Sequence, residues 1–73
     1  MPYSAIEDLP PGVRHALPEH AQSIYRQAFN HAWERYRDNY EREAIAHRIA
    51  WAAVKRTYRK VGSDWTPKEQ DAE

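Results

Sequence analysis

The sequence predicts a mainly α-helical, compact three-helix domain: a short N-terminal helix, an antiparallel pair of longer helices, and a minimal two-stranded sheet joining the termini. Three observations lead there. Apolar residues recur at helical spacing through two long stretches, 18–40 and 41–60. Prolines stand at the openings of helices, where they sacrifice no hydrogen bond, and Gly62 follows the second stretch. Nine aromatics (three Trp, five Tyr and one Phe) supply a core that 73 residues without cysteine could not otherwise afford.

In chain order, Pro10 and Pro11 start a short helix that runs to His15 or Ala16, with Asp8 placed to cap its exposed N–H groups. Leu9–Pro10 and Leu17–Pro18 repeat one device, a leucine that pins a helix entrance to the core ahead of a proline. Pro18 opens the first long helix with Glu19 in its first turn, where the dipole favours an acid. At about 100° per residue, Ala21, Ile24, Tyr25, Ala28, Phe29, Ala32, Trp33, Tyr36 and Tyr40 fall on one half of the cylinder. The second long helix, 41–60, turns Ala46, Ile49, Ala50, Ala53, Val54 and Thr57 inward, with Trp51 and Tyr58 widening the arc. Its small residues let the facing helix approach closely.

No Gly or Pro divides the two long patterns. A continuous helix would be about 64 Å long at 1.5 Å per residue and would need an oligomer to cover it. Asp38 followed by Glu41 fits a capping box, and Asn39 tolerates left-handed angles, so a tight turn and a monomer are expected. Gly62 reads as a helix C-cap. Trp65 folds back on the core, opposite Tyr3 in a short strand pair. This places the domain at 1–65, followed by a mobile tail at 66–73. The expected core is Leu9, Leu17, Ile24, Tyr25, Phe29, Trp33, Tyr36, Ile49, Ala50, Trp51, Ala53, Val54, Tyr58 and Trp65.

Charge and motifs narrow the function. Eleven basic and eleven acidic residues cancel, but 41–60 carries an excess of positive charge while the residues from Val61 onward are net acidic. Arg48, Lys55 and Arg59 form a stripe with Arg56 beside it, a face able to grip phosphates. Compensation of the helix dipole accounts for the same cations without a partner. The longest apolar run, 49–54, is far short of the roughly 20 residues of a membrane span, and no secretory signal opens the chain. A cytoplasmic protein without membrane insertion is expected. His15, His20, His31 and His47 are scattered; Glu43 and His47 share a helical face, and His31 from the facing helix would be needed to complete a metal site. Ser4, Ser23 and Ser63 lack a nucleophile's setting, and two glycines make no phosphate loop. No enzyme, metal or cofactor is expected, and Asn30 and His47 are assigned to bonding backbone, or each other, across the helix pair.

The blocks Asp8-Leu9-Pro10, Leu17-Pro18, Ala28-Phe29-Asn30 with Ala32-Trp33, and Ala46-His47 with Ala50-Trp51-Ala52-Ala53-Val54-Lys55 and Tyr58 together resemble the ChaB family. The resemblance spans residues 1–65. It implies a three-helix fold with a small sheet, and a regulator of a ChaA-type sodium/calcium–proton antiporter; viral relatives resemble DNA-binding proteins. The family pattern carries a longer charged loop between the long helices, here cut to 37–41. The reading is therefore a non-enzymatic cytoplasmic regulatory or adaptor module with a protein partner, such as a cation antiporter. The alternative is a nucleic-acid-binding module using Arg48, Lys55, Arg56 and Arg59.

Overall fold

The computed structural model describes residues 3–68. A single 3-10 turn, Ile6–Asp8, precedes helix α1 (Pro11–Ala16), helix α2 (Glu19–Arg35) and helix α3 (Arg42–Thr57). Strands β1 (Tyr58–Val61) and β2 (Asp64–Pro67) close the chain as an antiparallel hairpin.

The Leu-Pro pairs act through the backbone. A residue ahead of proline is pushed out of the helical region, and both Leu9 (ψ 155°) and Leu17 (ψ 142°) are extended there. Each turns the chain and buries its leucine. Asp8 lies in the 3-10 turn instead of capping α1, whose N-cap is Pro10 with no side-chain hydrogen bond. The carbonyls ending α1 are met from α2: Gln22 Nε2 donates to the oxygens of Leu17 at 2.9 Å and Arg14 at 3.2 Å.

The antiparallel helix pair forms as expected, but the turn is built differently. No capping box joins Asp38 to Glu41. Asn39 instead accepts the Glu41 N–H on Oδ1 at 2.8 Å, a side-chain-closed turn made without left-handed backbone. Tyr40 lies in this turn and is 95% exposed, not part of the apolar face. Arg42 locks the corner. Its guanidinium sits 3.8 Å from the centre of the Trp33 ring and donates to the Trp33 carbonyl through Nε and Nη2. One cation thereby meets an orphan carbonyl at the end of α2 and covers an indole face.

The sheet is present, with both strands from the C-terminal segment; Tyr3 is not one of them. Helix α3 stops at Thr57, short of Lys60. Gly62 is no helix cap: with φ 63° and Ser63 beside it, it forms the two-residue hairpin turn between Val61 and Asp64. Positive φ at the first central position only is the pattern of a type II′ turn, which matches strand twist. Thr66 and Pro67 pair with Arg59 and Tyr58, so the folded part extends past Trp65. Residues 69–73 of the expected tail lie outside the described residues.

The core holds Leu9, Val13, Leu17, Ala21, Tyr25, Phe29, Ala32, Ala46, Ala50, Val54 and Tyr58. Ile24, Trp33, Tyr36, Ile49, Trp51 and Trp65 pack against it, partly exposed. Ala53 does not join them; it faces a groove described below. Trp65 reaches the core through Trp51, ring centres 5.7 Å apart, and Trp51 meets Tyr25 edge-on at 5.3 Å. On the other flank Tyr3 packs on Phe29 at 4.8 Å. Its backbone is clasped by Asn30, which accepts the Tyr3 N–H at 2.8 Å and donates to the Tyr3 carbonyl at 2.9 Å.

That clasp substitutes for a strand. Asn30→Ala is expected to destabilise the domain by about 1–3 kcal/mol, because the Tyr3 N–H loses its partner and the Tyr3 carbonyl keeps only the Arg26 guanidinium, at 3.3 Å. Urea denaturation would measure it, and an unchanged midpoint would show that the clasp contributes nothing. Phe29→Ala, emptying a fully buried site, should cost about 3–5 kcal/mol by the same measurement.

Candidate binding surfaces

Two of the four histidines, His20 and His47, are engaged in holding the fold. Burial pushes the Tyr25 phenol up to about 12, so it stays protonated, with its hydroxyl 2.5 Å from His47 Nδ1. His47 Nε2 points toward Glu43 Oε2 at 3.9 Å, too far for a hydrogen bond. The nearby carboxylate nonetheless favours the tautomer protonated on Nε2, in which Nδ1 accepts from Tyr25. Burial lowers the His47 pKa below its ordinary value, and the Glu43 carboxylate opposes part of that shift. Across the same helix pair, Phe29 lies 4.7 Å from the His47 ring. His20 takes a similar role at the other end of α2, its Nδ1 lying 3.1 Å from the Tyr58 hydroxyl.

Asn30 and His47 thus do not bond each other: Asn30 holds the backbone of Tyr3, and His47 holds the hydroxyl of Tyr25. His31 does not approach Glu43 and His47; it is exposed on another flank of α2 and lines a groove. Among the described residues, no three His, Cys, Asp or Glu side chains are gathered to hold a metal ion.

The basic residues do not form one stripe. Arg48 and Lys55 are exposed on the same line of α3, two turns apart. Arg56 is rotated by about 100° from Lys55, as consecutive helical residues must be, and lines the groove between α2 and α3. Arg59 has left the helix altogether and stands in β1, opposite Thr66. The stripe assumed a helix continuing to Lys60, and its end at Thr57 removes one member.

The groove is the second surface. Ala28 and Ala32 of α2 and Ile49, Ala52 and Ala53 of α3 line it, with His31, Glu34, Arg35 and Arg56 at its rim, around a volume of about 740 Å³. A shallower continuation runs past Ile24, Gln27 and Asn30. Arg35 was not singled out from the sequence. The available signal was the width of the apolar arc on α2, broader than one helix contact can cover. The N-terminal segment packs on the Phe29 side and the hairpin on the Trp51 side, leaving this flank open.

A helical hairpin bolted by short polar links and closed by a β-hairpin defines the fold as a small, mainly helical domain. The ChaB family profile matches residues 9–68, and the chain belongs to the ChaB family. Relatives from Escherichia coli (strain K12) and Shigella flexneri, both named "Putative cation transport regulator ChaB", are each 51% identical over 70 residues, covering 88% of this chain and 92% of the relative. The solved "NMR solution structure of the putative cation transport regulator ChaB" superposes with a TM-score of 0.84 at 47% identity, covering 93% of this chain and all of that one. No helix among the described residues is long and apolar enough to cross a membrane.

The Tyr25–His47 pair makes stability depend on pH. His47 is depressed from its unfolded value of 6.5, so the folded state holds fewer protons than the unfolded state. The stabilisation is complete above about pH 6.5 and is lost as pH falls through the lower folded pKa. Urea midpoints at pH 8, 6.5 and 5 should fall in that order. His47→Gln, which keeps an acceptor for the Tyr25 hydroxyl, should flatten the step; a variant as pH-sensitive as the parent would place the titration elsewhere.

Proposed function

We propose that this chain is a non-enzymatic regulatory module of the cytoplasm that acts by docking on a protein partner, and that the partner is a sodium/calcium–proton antiporter. The observation that carries this reading is the identity of 51% to relatives named as cation transport regulators, spread over 88% of the chain. The physical organisation supports it. The groups that would otherwise do acid–base or ligand chemistry, His20, Asn30 and His47, are bonded into the scaffold. Among what faces outward are an apolar groove rimmed by Arg35 and Arg56 and the exposed cations Arg48 and Lys55.

The nucleic-acid reading rests on Arg48 and Lys55, which make no hydrogen bond or ion pair with another described residue. It requires binding that weakens steeply with salt, since each phosphate contact releases counterions.

A strain lacking the gene should show altered tolerance of sodium or calcium and altered antiport in everted membrane vesicles, both restored by the gene in trans. Unchanged tolerance and antiport would defeat the antiporter assignment. In parallel, the purified chain should leave the anisotropy of labelled single- and double-stranded DNA unchanged at low salt. Micromolar, salt-sensitive binding abolished by Arg48→Glu/Lys55→Glu would replace the regulatory reading with the nucleic-acid one.

A further inference from the structure

We propose that the open groove between α2 and α3 is the docking site for an amphipathic helix of the partner, one whose apolar stripe is flanked by acidic residues. The inference rests on the regulatory reading above and specifies the chemistry of its contact.

The groove's shape selects a helix. Its walls are two helices rather than a strand edge, and four of its five apolar lining residues, Ala28, Ala32, Ala52 and Ala53, are small. Such side chains let a third helix settle at the short interaxial distances of about 8–10 Å seen in helix packing. From Ile24 to Arg35 the groove follows α2 for about three turns, or roughly 17 Å at 1.5 Å per residue. That matches a short recognition helix, read through apolar anchors at i, i+3, i+4 and i+7.

The rim selects charge. Arg35 and Arg56 stand on opposite helices, and neither makes an ion pair or hydrogen bond with another described residue. Glu34 is the one acid among the groove's lining residues. A partner with carboxylates along both flanks of its apolar stripe would meet a guanidinium on each wall. A second copy of the chain fits less well. A two-fold contact brings the same patch against itself, gathering the Arg35 and Arg56 side chains of both copies with only the two Glu34 carboxylates to offset them. Nucleic acid would find phosphate contacts on the rim but nothing on an alanine-lined floor to stack on or hydrogen-bond its bases.

The test is a titration of the ¹⁵N-labelled full chain with two synthetic helical peptides that share a Leu/Ile stripe, one flanked by Glu and the other by Lys. The expected result is saturable shifts of the Ala28, Ile49, Ala52 and Ala53 amides with the Glu peptide, and affinity for the Lys peptide about ten-fold weaker, or roughly 1.4 kcal/mol. Arg35→Glu/Arg56→Glu should reverse the preference, which only a folded groove can do. Four results would overturn the proposal: no groove shifts at millimolar peptide, equal affinity for both peptides, groove shifts that appear on concentrating the protein alone, or the same shifts with duplex DNA. The double variant also separates this proposal from the function it serves. If it restores cation tolerance to the deletion strain as fully as the parent gene, the groove is not the docking site although the regulatory reading stands.

Discussion

Helix α2 is the member on which the rest of the structure hangs, and the bond from its Tyr25 to His47 is the constraint that fixes how it pairs. Tyr25 is fully buried between the long helices, where an unpaired hydroxyl would cost about 1–3 kcal/mol. The observed rotation and translation of α3 presents a ring nitrogen at that point. The same setting brings Phe29 against the His47 ring and Trp51 against Tyr25. A polar requirement thereby selects one register among the many that an alanine-rich interface would accept.

The same logic recurs along α2, and each link goes to a different element. His20 reaches β1 through Tyr58, Gln22 closes the end of α1, Asn30 clasps the backbone at Tyr3, and the Trp33 carbonyl receives Arg42 at the start of α3. Individually these contacts contribute on the order of 1 kcal/mol. Their value in a chain of 73 residues lies in placement. A small core offers little selectivity among packings, so directional bonds at the margins define where the short segments dock. Among the described residues, no buried side-chain nitrogen or oxygen lacks a partner.

The helices were legible because their signal is redundant. Many residues repeat the period of α2, so Tyr40 falling outside it changes nothing. Short-range features had no such protection. Gly62 suits a helix end and a hairpin turn equally; what decides is whether 58–61 finds a strand to pair with, and β2 lies beyond the glycine. That choice moved Arg59 off the helix and dissolved the basic stripe. Ala53 was assigned to the core from its angle on the wheel, but a wheel does not show where the neighbouring helix stops covering the arc. At the turn, Asp38 and Asn39 are both able to close it, and the geometry favoured the residue two positions ahead of Glu41 over the one three ahead.

This division of labour bears on where specificity resides. Asn30, His47 and Tyr58 belong to the blocks that resemble the ChaB family, and each has a structural occupation in the fold. Residues so occupied hold the scaffold together. Choice has to come from groups the fold leaves uncommitted, and two such pairs of cations are Arg48 and Lys55 on the outer line of α3, and Arg35 and Arg56 over the groove. Only the second pair stands beside apolar surface. Exposed cations alone are screened by salt and bind many anions weakly, whereas cations bordering a desolvated floor act at short range and reward one geometry. On that ground the groove, rather than the charged line on α3, is where a particular partner would be distinguished from any acidic molecule.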